Sequence, residues 1–369
     1  MRQQIRKLLL SLLTIFFLGS LLTSVTWYKI NSHVESHRQP LHKKNVRVFS
    51  ERCENSSKII TDITKRYAQP WKRQKGNYQK FSSLLNSKCH GAENAIVTQN
   101  NTPLGSQIIY SGEPKRTIKV TPDWFSTFPK EHPFSKKKWD SCSVVGNGGI
   151  LADSKCGEKI NSAQFIIRCN IPPLDSELEK DVGKKTSLVT ANPSIFIKKF
   201  SYLTKNYTRP FVESMRQFGD AMLLLPTFSF AYNTRVSRRA FNAIKDLNSP
   251  IRPVVFNPEY LRNLSLHWRS QRLKEARLST GFMMVNLALE LCNSVDLYGF
   301  WPFGVHPQDC RNLTNHYYDD VPPRHTFHSM PAEFDRLLKL HSQGILRIHL
   351  GDCESEKDVP AKRKKKKKH

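Results

Sequence analysis

The chain has 369 residues, 38% of them hydrophobic, which is enough to bury one large core and to leave residues for extensions. Its 58 Lys and Arg against 31 Asp and Glu give a formal net charge of +27, so the surface is expected to attract anions such as phosphates, acidic glycans or membranes. The basic residues are dispersed outside the C-terminal run and no RRM, KH or zinc-finger signature accompanies them, which argues against a nucleic-acid-binding module.

Residues 8–28 form an uncharged, apolar segment that is preceded by Arg2, Arg6 and Lys7. The segment is long enough to cross a bilayer as a helix. It exceeds the roughly 7–15 apolar residues of a cleaved signal peptide, and no A-x-A-like cleavage site follows it. We therefore predict a cytoplasmic tail at residues 1–7, a transmembrane signal anchor at residues 8–28 and a lumenal location for the rest of the chain.

Cysteines and glycosylation sequons agree with a lumenal compartment. The eight cysteines suit the secretory pathway, where disulfides persist, and the chain also has five Asn-x-Ser/Thr sequons. The same compartment disfavours nucleic acid as a partner, and it predicts that the basic residues 354–369 are a solvated, disordered tail rather than a nuclear signal. The sequons begin at Asn55, Asn100, Asn206, Asn263 and Asn312.

Residues 29–100 are polar and mixed in charge, which predicts a partly ordered lumenal stem. From residue 142 onward, apolar strands alternate with helical stretches, a pattern typical of an α/β fold with a mostly parallel sheet and helices on both faces. We predict a single domain at residues 101–353. Its predicted strands are "SVVGN", "FIIRCN", "SLVTAN", "AMLLLP", "PVVFN", "VDLYGF" and "ILRIHL", and its predicted helices include "SRRAFNAIKDL", "PEYLRNLSLHWRSQRLKE", "TGFMMVNLALEL" and "PAEFDRLLKLHSQG".

A glycine-rich loop, "GNGG", follows the first predicted strand. Its glycines, Gly146, Gly148 and Gly149, would let the backbone come close to a ligand or adopt a positive φ. The loop departs from the dinucleotide-binding fingerprint because Leu151 stands where another glycine is needed, and it lacks the Gly-Lys-Ser/Thr of a P-loop. The loop alone therefore indicates no particular ligand.

Polar residues recur at the C-terminal ends of successive predicted strands, where open α/β sheets bind their ligands. A further polar group opens a predicted helix, whose free N–H groups can bind an anion. Each of these residues alone is more often a cap or a turn residue, but their recurrence predicts a site for a polar ligand. They are Asn147, Asn170 and Asn192 after strands, and Ser279, Thr280 and Gly281 at the helix start.

Two histidines lie in polar segments near the C-terminus, His316 in "NHYYDD" and His328 in "FHSMPAEF". Pro331 and Glu333 suit the first turn of a helix, so His328 is expected just before its N-terminus. The positive end of the helix dipole favours a neutral imidazole there, and a neutral imidazole can take a proton from a hydroxyl. His328 is therefore a candidate general base, although taken alone it reads as a surface histidine.

Four separated segments resemble the sialylmotifs of animal sialyltransferases. They are "CSVVGNGGILADSKCGEKINSAQFIIRCN", "LSTGFMMVNLALELCNSVDLYGFWPF", "HYYDD" and "HSMPAE", which resemble the large, small, third and very small motifs, and the resemblance covers roughly residues 90 to 353. The runs "GFWPF", "RCNIPP" and "DVGKKT" resemble the α2,8 branch. Within that branch, "PWKRQ", "QNNTPLG" and "GNGG" resemble the subgroup that acts on gangliosides and O-glycans.

This resemblance implies a Rossmann-like, single catalytic domain anchored in the Golgi membrane as a type II protein. It implies a metal-free transfer of sialic acid, with inversion, from the donor substrate CMP-sialic acid to a terminal sialic acid of a glycolipid or glycoprotein, with no cofactor. The adjacent aspartates of "YYDD" lack the DxD spacing of metal-dependent glycosyltransferases. By match to the motifs, Asn147 and Asn170 would contact the donor, and Trp301 would border its cytidine. Ser279, Thr280 and Gly281 would contact the carboxylate of the donor and neighbouring groups. His328 would be the base, and His316 would stabilise the leaving phosphate.

The resemblance also implies how the cysteines pair. Two bridges would join Cys142 to Cys292 and Cys156 to Cys353, and Cys169 would then be a buried free thiol. Cys53 and Cys89 could pair within the stem, a pairing that the sequence leaves open. Cys310 matches no position of this scheme, and an odd thiol leaves a homodimer as an open alternative.

Three other functions stay open at this point. A non-catalytic sialoglycan-binding protein on the same fold would have no use for the two histidines. A heparin-binding protein is suggested by the net charge alone. A polysialyltransferase would need a strongly basic track for a long polyanion, and residues 245–277 are only mildly basic. The acceptor class, glycolipid or glycoprotein, is not specified by the sequence.

Overall fold

The computed structural model of the chain describes residue 58 and residues 60–134, 137–273, 277–322 and 330–354. Within these residues, two strands form an antiparallel hairpin and seven form a parallel sheet. The hairpin strands are β1 (Gln107–Ile109) and β2 (Thr117–Lys119), and the sheet strands are β3 (Trp139–Val145), β4 (Phe165–Arg168), β5 (Leu188–Thr190), β6 (Met222–Leu225), β7 (Arg252–Val255), β8 (Cys292–Tyr298) and β9 (Arg347–Ile348).

The seven strands of the sheet coincide with the seven predicted strands. Strands β4, β5 and β6 are buried along their whole length, which is why they are continuous apolar runs rather than alternating patterns. Their spatial order is β7-β6-β5-β4-β3-β8-β9. The chain thus places β4 to β7 on one side of β3, and β8 and β9 on the other side. Because crossovers between parallel strands are right-handed, the helices that connect β3 to β7 and those that connect β8 to β9 lie on opposite faces of the sheet. The predicted α/β fold class is confirmed.

Ten α-helices follow residue 74 in the described part of the chain, and residues 60–67 are helical as well. The four predicted helices are all present. The mostly apolar helix that begins at Thr280 is buried on every side from Phe282 to Leu291, where it packs against β3 and β8. The helices are α1 (Lys75–Cys89), α2 (Pro122–Phe125), α3 (Gly157–Asn161), α4 (Glu179–Val182), α5 (Pro193–Lys198), α6 (Lys205–Met215), α7 (Ala231–Asp246), α8 (Pro258–Ser270), α9 (Thr280–Leu291) and α10 (Met330–Ser342).

Part of the predicted stem belongs to the folded unit. Helix α1 packs on α8 and α9 and buries Tyr78, Leu85 and Cys89. The folded part of the chain therefore begins well before residue 101. The helical pattern "YQKFSSLLNSKC" is visible in the sequence, but its buried side chains are separated by Lys, Asn and Ser residues, so the pattern does not show that the helix packs on the domain.

Two disulfides join distant parts of the sheet. Cys142 in β3 is bonded to Cys292 at the start of β8, and Cys156 before α3 is bonded to Cys353 after β9, so both bridges implied by the resemblance are present. Cys169 is a buried free thiol as expected. Cys89 is also a buried free thiol, so the open option that it pairs with Cys53 is excluded. Cys310 is disulfide-bonded and is therefore not the odd thiol that the sequence indicated.

Several predictions concern residues outside the described ranges. The cytoplasmic tail at 1–7, the anchor at 8–28, the sequon at Asn55 and residues 355–369 all lie there, as does His328. In the part of the chain that is described, no helix has the length and apolarity to span a membrane. Of the described sequons, Asn100, Asn206 and Asn312 are exposed and Asn263 is half-buried.

Candidate active site

The strand order creates a crevice between β3 and β8. The chain leaves β3 toward one side of the sheet and later returns to place β8 on the other side, so the loops after these two neighbouring strands diverge. In open α/β sheets, ligands bind at such a switch point, outside the carboxyl ends of the strands. The residues that end the two strands lead into the glycine loop at Gly146 and into the turn at Gly299.

The glycines of the loop allow these two chain segments to touch. The N–H of Gly148 donates to the carbonyl of Gly299 at 3.0 Å, and a Cβ on Gly148 would lie only 2.6 Å from that carbonyl oxygen. None of Gly146, Gly148 and Gly149 has a positive φ, whereas Gly299 has φ +70°. The expected positive φ is therefore wrong for these three glycines. The close approach that they permit within the protein is to Gly299 for Gly146 and Gly148, and to Thr314 for Gly149.

A cavity of about 270 Å³ opens at this crevice, and we call it the switch-point cavity. It brings together side chains and backbone from the ends of β3, β4, β5 and β8, the start of α9, the loop at His316 and the start of α10. Every described residue that the sequence assigned to the catalytic or donor-binding site lines it, namely Asn147, Asn170, Ser279, Thr280, Gly281, Trp301 and His316, and so does Asn192.

Asn147 joins the glycine loop to the loop that carries His316. Its side-chain amide donates to the carbonyl of Cys169 at 2.8 Å, and its backbone carbonyl accepts from the N–H of Tyr317 at 3.0 Å. Its Oδ1 is buried and has no hydrogen-bond partner among the described residues. A buried acceptor without a partner is costly, and a ligand could donate to this oxygen only after a local shift, because protein atoms cover it.

Asn170, Asn192 and Thr280 form a hydrogen-bonded chain across the carboxyl ends of the strands. The Oδ1 of Asn170 accepts from the N–H of Asn192 at 2.9 Å, and the Oδ1 of Asn192 accepts from the hydroxyl of Thr280 at 2.8 Å. Asn170 has φ +62°, a left-handed conformation that asparagine tolerates better than most residues. Its acceptor is thereby occupied, and its side-chain NH₂ is the group that it can offer to a ligand.

The N-terminus of α9 is held open toward the cavity. The hydroxyl of Ser279 caps the helix by accepting from the N–H of Phe282 at 3.2 Å, while the N–H of Ser279 donates to Glu333 Oε1 at 2.7 Å. The N–H groups of the first helical residues, Thr280 and Gly281, have no intrahelical acceptor. Together with the helix dipole they form a site for an anionic group. Sequence reasoning gave Glu333 only a place in a first turn, not this contact.

His316 is fixed by its neighbours in the loop. Its Nδ1 lies 2.5 Å from Asp319 Oδ2, the amide of Asn315 lies 3.1 Å from its ring nitrogens, and its ring stacks on Tyr318 with centroids 5.0 Å apart. Asp319 Oδ1 also accepts from the backbone N–H of His316 at 3.1 Å. The sequence reasoning missed Asp319 as the partner of His316, although its i, i+3 spacing from His316 was a usable signal.

Trp301 forms a wall of the cavity. Its indole N–H donates to the carbonyl of Val305 at 2.8 Å, and its ring packs edge-on against Phe303 and Phe334. The indole is therefore fixed in place and is only 6% exposed, so it offers the cavity a small, preformed apolar surface.

Two titratable groups near the cavity are neutral at physiological pH. Burial raises the pKa of the Cys169 thiol to about 12. Burial, assisted by the charge of Asp319, raises the pKa of Tyr318 to about 12. An anionic ligand in the cavity is therefore not repelled by these two residues.

A parallel α/β domain with a polar cavity and a helix N-terminus at its switch point has the arrangement in which doubly wound α/β proteins bind nucleotides. The chain belongs to glycosyltransferase family 29, the sialyltransferases, whose family model matches residues 96–345. It is 40% identical to mouse alpha-2,8-sialyltransferase 8F over 83% of this chain and 81% of that protein. It is 42% identical to human alpha-2,8-sialyltransferase 8E over 77% and 75%, and 37% identical to the rat 8E protein over 94% and 95%. The resemblance to the sialyltransferases is confirmed, and these relatives fit its α2,8 branch.

Proposed function

We propose that this protein is an inverting α2,8-sialyltransferase that moves sialic acid from CMP-sialic acid to a terminal sialic acid of a glycolipid or glycoprotein. The observation that carries the proposal is the switch-point cavity, where one volume collects the residues that match the sialylmotifs. Membership of family 29 and the similarity to proteins named alpha-2,8-sialyltransferase support the donor and the linkage.

In this proposal the cavity binds the donor. Asn147 and Asn170 contact the donor, with the NH₂ of Asn170 donating to it, and Trp301 borders the cytidine. The unpartnered Oδ1 of Asn147 accepts from the donor after a local shift that uncovers it. The N-terminus of α9 at Ser279, Thr280 and Gly281 binds the carboxylate. The donor would replace water with fixed hydrogen-bond partners, which orients it for displacement.

The reaction breaks the bond between C2 of the donor sialic acid and the phosphate oxygen, and it forms a bond between C2 and O8 of the acceptor. His328 takes the proton from the O8 hydroxyl, and CMP leaves with the electron pair of the broken bond. His316, oriented by Asp319, stabilises the charge that develops on the phosphate. No metal is part of this scheme, and Asp319 of the "YYDD" segment is engaged by His316 and by the N–H of Val321.

We further propose that residues 8–28 anchor the chain in the Golgi membrane with its catalytic domain in the lumen. The two disulfides and the exposed sequons at Asn100, Asn206 and Asn312 support this topology, because disulfides persist in the secretory pathway and glycans are added there. The test treats microsomes with protease, with and without detergent, and treats the protein with a glycosidase. We expect a glycosylated protein whose catalytic domain protease degrades only after detergent opens the membrane. A protein without glycans that protease degrades in intact microsomes would exclude this topology.

The activity is tested with full-length protein in detergent, CMP-sialic acid and a panel of gangliosides and of sialylated and desialylated glycoproteins, followed by linkage analysis. We expect α2,8-linked product only from sialylated acceptors, and the same rate in excess EDTA. Transfer to desialylated acceptors would exclude the α2,8 assignment, binding without transfer would indicate a lectin, and long polymers would indicate a polysialyltransferase.

Replacing the base separates chemistry from donor binding. We expect His328→Ala to lower the transfer rate by about 10²–10⁴-fold while the calorimetric affinity for CMP stays the same, because the base acts on the acceptor. The control is His90→Asn, which changes an exposed histidine at the end of α1 whose left-handed φ asparagine tolerates. Near wild-type turnover of His328→Ala would exclude His328 as the base.

A further inference from the structure

A second cavity lies beside the switch-point cavity, and we call it the Arg277 cavity. Its volume is about 280 Å³, close to that of its neighbour, and the two cavities share Asn192 and Thr280 as lining residues. The hydroxyl of Thr280 donates to Asn192 Oδ1 at 2.8 Å. This hydrogen-bonded pair is therefore part of the boundary between the two volumes, and molecules bound in the two cavities would meet at it.

The Arg277 cavity has one charge. Among the described residues that line it, Arg277 is the only charged side chain. Its guanidinium lies 5.6 Å from the ring centre of Phe230, and burial lowers its pKa, but a guanidinium stays protonated at physiological pH. A planar guanidinium in a partly buried cavity suits a carboxylate, which it can bind through two parallel hydrogen bonds. Arg277 does not line the switch-point cavity.

The rest of the lining suits a sugar. Hydroxyl groups come from Ser111, Ser229 and Ser265, and apolar surface comes from Met283 and Met284. This mixture of hydroxyls and apolar atoms matches the glycerol chain and the N-acetyl methyl group of a sialic acid.

An aromatic platform continues from the cavity toward solvent. Phe230 lines the cavity and stacks on Tyr232 with ring centroids 5.9 Å apart and planes inclined by 23°. Tyr232 is 47% exposed. An exposed ring that stacks on a lining residue of the cavity offers a flat apolar face to the next sugar of a chain.

We infer that the Arg277 cavity binds the terminal sialic acid of the acceptor, that Arg277 holds its carboxylate, and that Phe230 and Tyr232 contact the next sugar. This inference rests on the proposed function and names the acceptor subsite for it. The donor and the acceptor then lie on the two sides of the Asn192–Thr280 pair. The acceptor O8 attacks C2 of the donor from this side, its proton passes to the base, and CMP leaves on the other side.

The test measures initial rates of the full-length enzyme while donor and acceptor are varied separately. The acceptors are 3′-sialyllactose and its methyl ester, in which the carboxylate is neutral. For the wild type we expect the ester to raise the acceptor KM by about 10–100-fold, as the loss of a charge-assisted pair does. In the Arg277→Gln enzyme, the KM for the acid should rise by a similar factor and should equal the KM for the ester. Its KM for the donor should stay within about twofold of the wild-type value.

Controls distinguish the possible failures. The control variant is Arg239→Gln. Arg239 is exposed, its guanidinium donates to the carbonyl of Tyr202, and it lines neither of the two cavities. The Arg239→Gln enzyme should therefore prefer the acid to the ester as the wild type does. Calorimetric CMP binding verifies that each variant is folded. The inference is overturned if wild type accepts acid and ester equally, or if folded Arg277→Gln still discriminates. Absence of any disialylated product from wild type would instead overturn the proposed function.

Discussion

Asp319 acts on the candidate site through His316 rather than by lining the cavity. It accepts from the ring Nδ1 at 2.5 Å and from the backbone N–H of the same residue at 3.1 Å, so it fixes both the ring and the loop. We expect Asp319→Asn to lower kcat by at least about 10-fold, because a side-chain amide cannot replace both carboxylate contacts and the ring loses its fixed orientation. Initial-rate kinetics with saturating donor measure this.

The adjacent Asp320 provides the matched control. It is exposed and carries the same charge, so Asp320→Asn tests whether the effect comes from charge alone. We expect Asp320→Asn to keep wild-type kcat and both variants to keep CMP affinity. Equal losses in the two variants would contradict a positioning role for Asp319 and would indicate a general electrostatic effect on the loop.

The sequence could predict the residues that line the cavity but not the residues that hold them. Asn147, Asn170 and the start of α9 were predictable because each follows or begins a recognisable element. Glu333 reaches Ser279, which lies 54 positions away in the chain, and that contact depends on how α9 and α10 pack. Such pairs come from tertiary packing, and a single sequence has no local signal for them.

At the scale of elements, the disulfide between β3 and β8 fixes the two strands that form the crevice. Cys142 and Cys292 are 150 residues apart, and the bridge restricts the unfolded chain by about 5 kcal/mol in the loop-entropy model. We expect the Cys142→Ala/Cys292→Ala protein to lose about that free energy of unfolding and to fail to be secreted in folded form. Denaturant unfolding and secretion yield measure the loss, and Cys89→Ala, which removes a buried free thiol, is the control.

How well each element could be predicted from the sequence depended on how much of its surface is buried. Strands β4, β5 and β6 are buried on both faces and are therefore unbroken apolar runs with one interpretation. Helix α1 buries only one narrow side, and its polar residues made the segment resemble a stem. The glycine loop was located correctly, but its close approach to Gly299 depends on the pairing of β3 with β8, which is set by topology.

For the whole molecule, two buried groups with opposite pKa shifts determine part of the response of stability to pH. Burial raises the pKa of Glu290 from 4.5 to about 7, and its Oε2 has no hydrogen-bond partner among the described residues although Tyr260 donates to Oε1 at 2.6 Å. Burial lowers the pKa of His341 from 6.5 to about 4, while its Nδ1 accepts from the N–H of Ile348 at 3.1 Å.

The two shifts act in the same pH window with opposite signs. The raised pKa of Glu290 gives a contribution to folding that is complete below pH 4.5 and is lost as the pH rises to about 7, because the buried acid must then ionise. The lowered pKa of His341 gives a contribution that is present above pH 6.5 and is lost as the pH falls to about 4. Each shift corresponds to on the order of 3 kcal/mol, so the two contributions largely offset each other.

Substituting each group should reveal the contribution of the other. Relative to wild type, Glu290→Gln should gain on the order of 3 kcal/mol of unfolding free energy between pH 5 and pH 8, since glutamine cannot ionise. Relative to wild type, His341→Asn should gain as the pH falls from 6.5 to 4, because the asparagine oxygen can accept from Ile348 without becoming charged. Urea unfolding of wild type and both variants at matched pH measures these differences. A difference from wild type that stays constant with pH would show that the residue has the same proton affinity in the folded and unfolded chain.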